Sequence, residues 1–268
     1  MYKRNAWTWN WCAALMILVL GMFLPPAQGG VGPRFKILFV VTSHDKMGNT
    51  GKPTGLWLPE LTHPYYGVTT AAEGHSGFDV VFASPKGGKA PIDPRSIDLK
   101  DPDNKRFMES VETKKAIENT IPLSKINPKD YMGVLFVGGH GPMWDLPDDA
   151  DAQKIIRVLY EQKCPVAAVC HGPAALVNVK LSNGRYLVAG KKLTAFSNAE
   201  EIKGGYEKVV PFMLETKLKE RGAVFEAAPP QKPKVVDAGL LLTGQNPASA
   251  RELGVLLRNT ADLPNDAR

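Results

Sequence analysis

The 268-residue chain has the composition of a globular protein, with 44% hydrophobic and 22% charged residues. These values exclude a chain that is disordered over most of its length. Lysine and arginine exceed aspartate and glutamate by a formal net charge of +6, but no run of basic residues concentrates this charge. We therefore expect no nucleic-acid binding, and the length allows one large domain or two small ones.

The first thirty residues predict a secretory signal peptide. Lys3 and Arg4 precede an apolar segment at 11–24, and prolines and small residues follow it up to Gly30. Basic, apolar and small-residue regions in this order are typical of a cleaved export signal. A retained membrane anchor is the alternative, but the apolar segment is short for a membrane span. We expect cleavage to leave a single exported domain at 31–268, periplasmic or secreted and without membrane contact.

The rest of the chain alternates between strand and helix patterns. Runs that are apolar throughout predict strands buried on both faces, at 35–41, 77–83, 131–137 and 165–169. Apolar residues at helical spacing predict helices around 152–159, over 209–218, directly after Pro173 and over 248–258. This alternation predicts an α/β fold with a mainly parallel sheet and helices on both faces. A segment at about 86–128, rich in Pro, Asp and Lys, is expected to be a surface insertion with one helix.

A cysteine stands where the fourth predicted strand ends. The apolar run Val166–Val169 leads straight into Cys170, and His171, Gly172 and Pro173 follow. A strand that turns into a helix at this point holds the thiol out of the strand, and the helix N-terminus favours the thiolate. We therefore predict that Cys170 is a nucleophile with a lowered pKa. The alternative is a buried structural cysteine.

Several residues could assist this thiol. His171 is adjacent and can take its proton, but it needs a third group to fix its tautomer. Glu200 and Glu201 follow a further predicted strand at 192–195, and on spacing alone either could be a surface charge. The glycines of Gly138–Gly141 could let backbone N–H groups approach a ligand. Glu60 has apolar neighbours, and burial among them would raise its pKa.

Seven segments together resemble a known superfamily. They read TGLWLPELTHPYY, ASPKGG, FVGGHGPMWDLP, AAVCHGPAAL, AFSNAEE, VPFMLETKLKERGA and LLTGQNPASA, in this order between about Lys36 and Arg258. The chain resembles the ThiJ/PfpI superfamily, which has the class I glutamine amidotransferase-like fold, a flavodoxin-like α/β sandwich. Within it, the chain is similar to the glutathione-independent glyoxalase (glyoxalase III) and heat-shock chaperone branch. The branch rests chiefly on Glu60, on His171 directly after the cysteine, and on an acidic residue near position 200.

The resemblance implies a role for each candidate residue. Cys170 would be the nucleophile, His171 its base and Glu201 the third member of the triad, with Glu200 left open as the alternative. Glu60 would hydrogen-bond the cysteine and move protons. The backbone N–H groups of Gly139 and His171 would bind an oxyanion. Some members of the superfamily carry a metal, but the histidines show no ligand spacing, so we expect neither a metal nor a cofactor; they lie at 44, 63, 75, 140 and 171.

The branch implies conversion of methylglyoxal, or a related small 2-oxoaldehyde, to lactate or the matching 2-hydroxy acid. This activity is also called D-lactate dehydratase, and it would detoxify methylglyoxal under stress. Cys170 would form a hemithioacetal, Glu60 or His171 would move a proton between the two carbons, and water would release the acid. Alternatives are a protein deglycase, a holding chaperone or a cysteine-dependent amide hydrolase. A homodimer is left open.

Overall fold

The computed structural model describes residues 35–71 and 77–264. All of them belong to one unit, Arg34–Arg268. The predicted signal peptide at 1–30 lies outside the described residues. Within the described part of the chain, no helix combines the length and the apolar character that a membrane span requires.

The centre of the fold is a seven-stranded sheet in the order β3-β2-β1-β4-β5-β9-β8. Its strands are β1 Lys36–Val40, β2 Asp79–Ser84, β3 Ile121–Pro122, β4 Gly133–Phe136, β5 Val166–Val169, β8 Val235–Ala238 and β9 Leu241–Gly244. All neighbours are parallel except β8 and β9. A second, parallel pair joins β6 Lys192–Leu193 to β7 Val224–Phe225.

Eight α-helices accompany the strands in the described residues. They are α1 Leu58–Thr69, α2 Pro102–Glu109, α3 Val111–Glu118, α4 Pro142–Asp145, α5 Ala150–Glu161, α6 Asn198–Gly204, α7 Leu214–Glu220 and α8 Ala250–Asp262. The segment at 86–128 thus carries two α-helices, α2 and α3, where the sequence predicts one. Its Phe107 and Ile117 are buried in the core, and its strand β3 extends the sheet, so the segment is an integral part of the fold.

Each face of the sheet has its own apolar core. Along β1, Ile37 and Phe39 pack into a core with residues of α1 and α8. Leu38 and Val40 between them pack into a second core with residues of α5 and α7. Successive side chains of a strand point to opposite faces, so the sheet is a central layer with helices on both sides. The predicted α/β fold is confirmed.

Two predicted helices differ from the structure. The helix predicted over 209–218 begins only at Leu214, directly after an extended Met213. Pro211 disfavours the helical conformation of the residue before it, which removes the helix from 209–210. The helix predicted after Pro173 is a 3-10 helix of five residues, Gly172–Leu176. Beyond it, β-branched Val177 and Val179 have low helix propensity. The residue that follows the cysteine therefore does not open a long α-helix.

Candidate active site

Cys170 occupies a sharp turn at the carboxyl end of β5. Its φ is 59°, a left-handed conformation that costs a residue with a side chain about 1–3 kcal/mol. The turn is anchored on both sides, because the Cys170 N–H donates to the Gly244 carbonyl at 2.9 Å and its carbonyl accepts from the Phe196 N–H at 2.8 Å. A Cβ at Gly172 would lie 2.2 Å from the Phe136 carbonyl oxygen, so only glycine fits after the turn. This geometry fixes the direction of the thiol.

The thiol leads into a chain of hydrogen-bonding groups. Cys170 Sγ lies 3.3 Å from His171 Nδ1, and His171 Nε2 lies 2.8 Å from Glu201 Oε2. Both His171 and Glu201 are 1% exposed. Burial alone would raise the pKa of Glu201, but the facing His171 and a second histidine, His140, hold this pKa below its ordinary value. The carboxylate therefore accepts the Nε2 proton, which leaves Nδ1 as the acceptor for the thiol proton.

The structure brings Glu201, and not Glu200, to His171. Glu200 forms a capping box with Ser197 at the start of α6. Its carboxylate also accepts hydrogen bonds from the side chains of Gln245, at 2.9 Å, and Asn246, at 2.8 Å. Glu200 therefore ties α6 to the loop after β9. Both glutamates are buried, so neither is the surface charge that spacing alone allowed.

Glu60 lies against the other side of the thiol turn, in the first turn of α1. It is 0% exposed, and among the described residues neither carboxyl oxygen finds a hydrogen-bond partner of good geometry. A Cβ at Gly138 would lie 2.2 Å from Glu60 Oε2 and 2.7 Å from Cys170 Cβ, so these groups are in close contact. Burial raises the pKa of Glu60 to about 8, although Cys170 and the Gly139 N–H act to lower it. At neutral pH this carboxyl group is mostly protonated.

The predicted lowering of the Cys170 pKa is wrong. Burial, followed by the neighbouring Glu60, raises the pKa of the thiol. Two features missing from the sequence argument explain the difference. The cysteine is 4% exposed, and burial disfavours the thiolate. The 3-10 helix behind it is also too short to supply the helix dipole that the prediction invoked. The resting thiol is therefore neutral, and it depends on His171 to become a nucleophile.

The glycine-rich turn after β4 brings a backbone donor to the thiol. The Gly139 N–H acts on both Cys170 and Glu60, and its effect lowers the pKa of each. Gly139 has a φ of 97°, and a Cβ there would lie 2.4 Å from the Gly55 carbonyl oxygen. The His171 N–H belongs to the turn at Cys170 itself. Their joint role in binding an oxyanion remains a prediction.

The position of His140 in this site was not predicted from the sequence. His140 Nε2 lies 3.1 Å from Glu201 Oε1, and its ring centroid lies 4.2 Å from that of His171, with the two rings tilted by 37°. Burial and the neighbouring His171 lower the pKa of His140 to about 4, so the ring is neutral at neutral pH. Because β4 and β5 are adjacent, residues that follow the two strands meet at one edge of the sheet. That rule could have linked His140 to Cys170.

Glu60, His140, Cys170 and His171 line a cavity of about 480 Å³, whereas Glu201 lies behind its wall. Aromatic side chains form much of its wall, including Trp57, Phe196 and Tyr206. Arg95 also lines it, held by an ion pair of 2.7 Å to buried Asp93 and by a hydrogen bond to the Tyr206 hydroxyl. The cavity therefore offers a thiol, a neutral carboxyl group and an imidazole to one small substrate.

Comparison with known proteins places this chain in a family. The profile of the DJ-1/PfpI family matches residues 60–259. The chain belongs to the DJ-1/PfpI family. This confirms the resemblance that the sequence motifs carry.

Several individual proteins of known name or structure are similar to this chain over most of its length. Glyoxalase 3 of Candida albicans is 31% identical over 230 residues, which cover 80% of this chain and 93% of that protein. The glutathione-independent glyoxalase hsp3101 of Schizosaccharomyces pombe is 32% identical over 229 residues, covering 81% of this chain and 91% of that protein. Among solved structures, the Rapid Encystment Protein 24 KDa of Francisella tularensis superposes with a TM-score of 0.80 at 38% identity, covering 85% of this chain and 99% of that chain. The predicted similarity to the glyoxalase branch is confirmed.

Proposed function

We propose that this protein is a glutathione-independent glyoxalase that converts methylglyoxal, or a related 2-oxoaldehyde, to the matching 2-hydroxy acid. One observation carries the proposal. A single thiol, Cys170, has a histidine–carboxylate pair on one side and a protonated carboxyl group, Glu60, on the other. A rearrangement within a bound aldehyde needs both parts, because one activates the thiol and the other moves a proton between carbons. The similar proteins named as glutathione-independent glyoxalases support the same activity.

The first step is addition of the thiol to the aldehyde. As Cys170 Sγ attacks the aldehyde carbon, His171 Nδ1 accepts the thiol proton and passes it to the aldehyde oxygen. The product is a hemithioacetal bound to Cys170. Glu201 stabilises the transient imidazolium, since its carboxylate accepts the Nε2 proton at 2.8 Å. The cysteine supplies the thiol that glutathione would otherwise provide.

The second step moves a proton from the former aldehyde carbon to the ketone carbon. Glu60 gives its proton to the ketone oxygen, and the resulting carboxylate removes the proton from the neighbouring carbon, which forms an enediol. Glu60 then delivers that proton to the ketone carbon and takes one from the hydroxyl of the other carbon. The product is a thioester of the 2-hydroxy acid, and Glu60 is again protonated. A carboxyl group with a pKa of about 8 suits both halves of this transfer.

The last step releases the acid. Water attacks the thioester with His171 as the base, and the thiolate leaves and regains its proton. The N–H groups of Gly139 and His171 are the donors for the oxyanion of this step. The net reaction adds one water to the 2-oxoaldehyde and moves hydrogen within the substrate, so it consumes no external oxidant or reductant.

The main alternatives make different demands on the site. An amide hydrolase of this fold needs the thiol and its base, but it has no use for a protonated Glu60 next to them. A holding chaperone needs an exposed apolar surface, and its activity would survive the loss of Cys170. A deglycase would use the same thiol on aldehyde adducts of amines, so it is a variant of the proposed chemistry.

Lactate formation tests the proposal directly. Purified protein is incubated with methylglyoxal in the absence of glutathione, and lactate is measured with stereospecific dehydrogenases. We expect lactate from the wild-type protein and none above background from Cys170→Ser. Methylglyoxal consumption without lactate, or equal lactate from both proteins, would contradict the proposal.

We also propose that the protein is exported after cleavage of its N-terminal segment. The support is the order of basic, apolar and small-residue regions in residues 1–30. Mass spectrometry of the protein from its native host should find a mature chain that begins between about residues 28 and 32. Recovery of the intact chain, with Met1, from the cytosol would contradict export.

A further inference from the structure

We propose that His140, His171 and Glu201 form a binding site for a divalent transition-metal ion, with Zn²⁺ as the best match. Binding itself is independent of the protein's activity. Metal binding would also inhibit the enzyme, because the ion would occupy His171, which activates Cys170. This consequence rests on the proposed function. The site uses residues of three separate segments: the turn after β4, the turn after β5 and helix α6.

The distances suit a small cation. Potential ligand atoms of the three side chains all lie within 4.8 Å of one another. Glu201 Oε1 is 3.1 Å from His140 Nε2, and Glu201 Oε2 is 2.8 Å from His171 Nε2. Zinc binds imidazole nitrogen and carboxylate oxygen at about 2.0–2.2 Å, which separates tetrahedral ligands by about 3.4 Å. Side-chain adjustments on the order of 1 Å would therefore place the three ligand atoms around an ion.

The ligand set and its surroundings favour zinc over magnesium or calcium. Two imidazoles with one carboxylate suit zinc and other transition metals, whereas magnesium and calcium prefer oxygen ligands throughout. All three side chains are buried, and the backbone turns that carry the histidines are fixed by close packing at Gly139 and Gly172. His140 and His171 line the cavity, which gives an ion access and leaves room for a water molecule as fourth ligand.

The thiol of Cys170 stands apart from this cluster. Sγ faces His171 Nδ1, while Glu201 faces Nε2 of the same ring. A metal ion bound to Nε2 leaves the ring proton on Nδ1, where it points at the thiol. His171 could then no longer accept the thiol proton. Metal binding would thus stop thiol activation without blocking Sγ or consuming the cysteine.

A second cluster on the surface provides a matched control. It consists of His63, Asp101 and Asp103, all partly exposed. His63 is paired with Asp101 at 2.7 Å, and Asp103 is held by Arg251 at 2.6 Å. This cluster has one imidazole instead of two, and competing ion pairs hold its carboxylates. His63→Asn therefore removes a histidine from a carboxylate-rich cluster but leaves all three ligands of the proposed site in place.

Cobalt titration of the full chain tests the site without reference to activity. Protein freed of metal with a chelator is titrated with Co²⁺, and the visible absorption of tetrahedral cobalt is recorded before Zn²⁺ is added to displace it. We expect one equivalent per chain in the wild type, in His63→Asn and in Cys170→Ser. His140→Asn and His140→Gln should bind with an affinity lower by on the order of 10²-fold or more. Circular dichroism checks that both variants are folded.

Each outcome decides a separate point. Unchanged binding in the folded His140 variants, or loss of binding in His63→Asn or Cys170→Ser, would overturn the site. If the site binds metal, Zn²⁺ at one equivalent should abolish lactate formation in the wild type, and a chelator should restore it. Unchanged lactate formation by the zinc-loaded protein would overturn the inhibitory role. Failure to form lactate before any metal is added would count against the proposed function alone, since the cobalt spectrum still decides the site.

Discussion

Two buried carboxyl groups border the Cys170–His171 pair, and they have opposite protonation states. Glu60 lies against the thiol on α1, and Glu201 lies behind the imidazole on α6. The two are 0% and 1% exposed. Burial raises the pKa of Glu60 to about 8. Burial acts in the same direction on Glu201, but the facing His171 and His140 outweigh it and lower the pKa of this group. The comparison shows that hydrogen-bonding partners, and not the depth of burial, decide which carboxyl group is charged.

This difference assigns the two groups to different steps. A carboxylate that stays charged can hold His171 in one tautomer and stabilise its cation, but it has no proton to give. A carboxyl group that is protonated near neutrality can both donate and accept a proton. Neighbouring titratable groups whose environments separate their pKa values are a recurring basis for acid and base roles in one site. Separate substitutions of the thiol and of each carboxyl group test this division.

Loss of the thiol should have the largest effect, because both carboxyl groups act through it. Cys170→Ser should reduce the rate of lactate formation by on the order of 10⁴-fold or more. Cys164→Ser is the matched control, since Cys164 lies six residues earlier in the chain and outside the cavity, and it should retain the parent rate. Comparable losses in both variants would point to a general effect on folding.

Glu201→Gln should slow the first chemical step. The amide cannot stabilise the imidazolium, so the thiol is activated poorly and turnover should fall by about 10³-fold. Formation of the hemithioacetal on Cys170, followed by rapid-quench mass spectrometry, should slow in proportion. Glu200→Gln, which changes the neighbouring capping residue, should have a much smaller effect. Equal losses in the two variants would contradict the assignment of Glu201.

Glu60→Gln should spare the first step and block the second. Turnover should fall by on the order of 10²-fold, while Cys170 still reacts with methylglyoxal. The hemithioacetal should therefore accumulate and be visible as a mass increment on Cys170. Lactate formation at the parent rate would make Glu60 a structural carboxyl group only.

The effect on stability is smaller per pH unit, and its sign differs between the two carboxyl groups. The pKa of Glu60 is higher in the folded protein than the ordinary value of 4.5, so the unfolded chain loses this proton first as pH rises. Wild-type protein should lose stability relative to Glu60→Gln between about pH 4.5 and 8, by at most about 1.4 kcal/mol per pH unit. Urea unfolding of both proteins over this range measures the slope. A constant difference would contradict the raised pKa.

Glu201 should give the opposite dependence. Its folded pKa is lowered, so its contribution is present above the ordinary value of 4.5 and is lost as pH falls toward the folded value. The deficit in unfolding free energy of Glu201→Gln relative to the wild type should therefore shrink as the pH falls below about 4.5. A deficit that grows on acidification would contradict the lowered pKa.

Local sequence signals predicted much of this molecule. Apolar runs without alternation located β1, β2, β4 and β5, and the seven motifs identified the family and its glyoxalase branch, because each of these signals lies within a short stretch of chain. The roles of Cys170, His171, Glu60, Glu201 and Gly139 remain predictions. Features that depend on tertiary packing could not be read in this way. The contact of His140 with Glu201 spans sixty-one residues. The raised pKa of Cys170 comes first from the burial of the thiol itself and then from Glu60 of α1, which packs beside it only in the folded chain.

Infrared difference spectroscopy tests the central comparison most directly. A protonated carboxyl group shows a C=O stretching band that a carboxylate lacks, and subtraction of a glutamine variant isolates the band of one residue. The wild-type minus Glu60→Gln spectrum at neutral pH should contain this band, and it should disappear on titration with a midpoint at about pH 8. The wild-type minus Glu201→Gln spectrum should show only a carboxylate. A carboxylate spectrum for Glu60 at neutral pH, or a protonated band for Glu201, would contradict the assignment of the two groups.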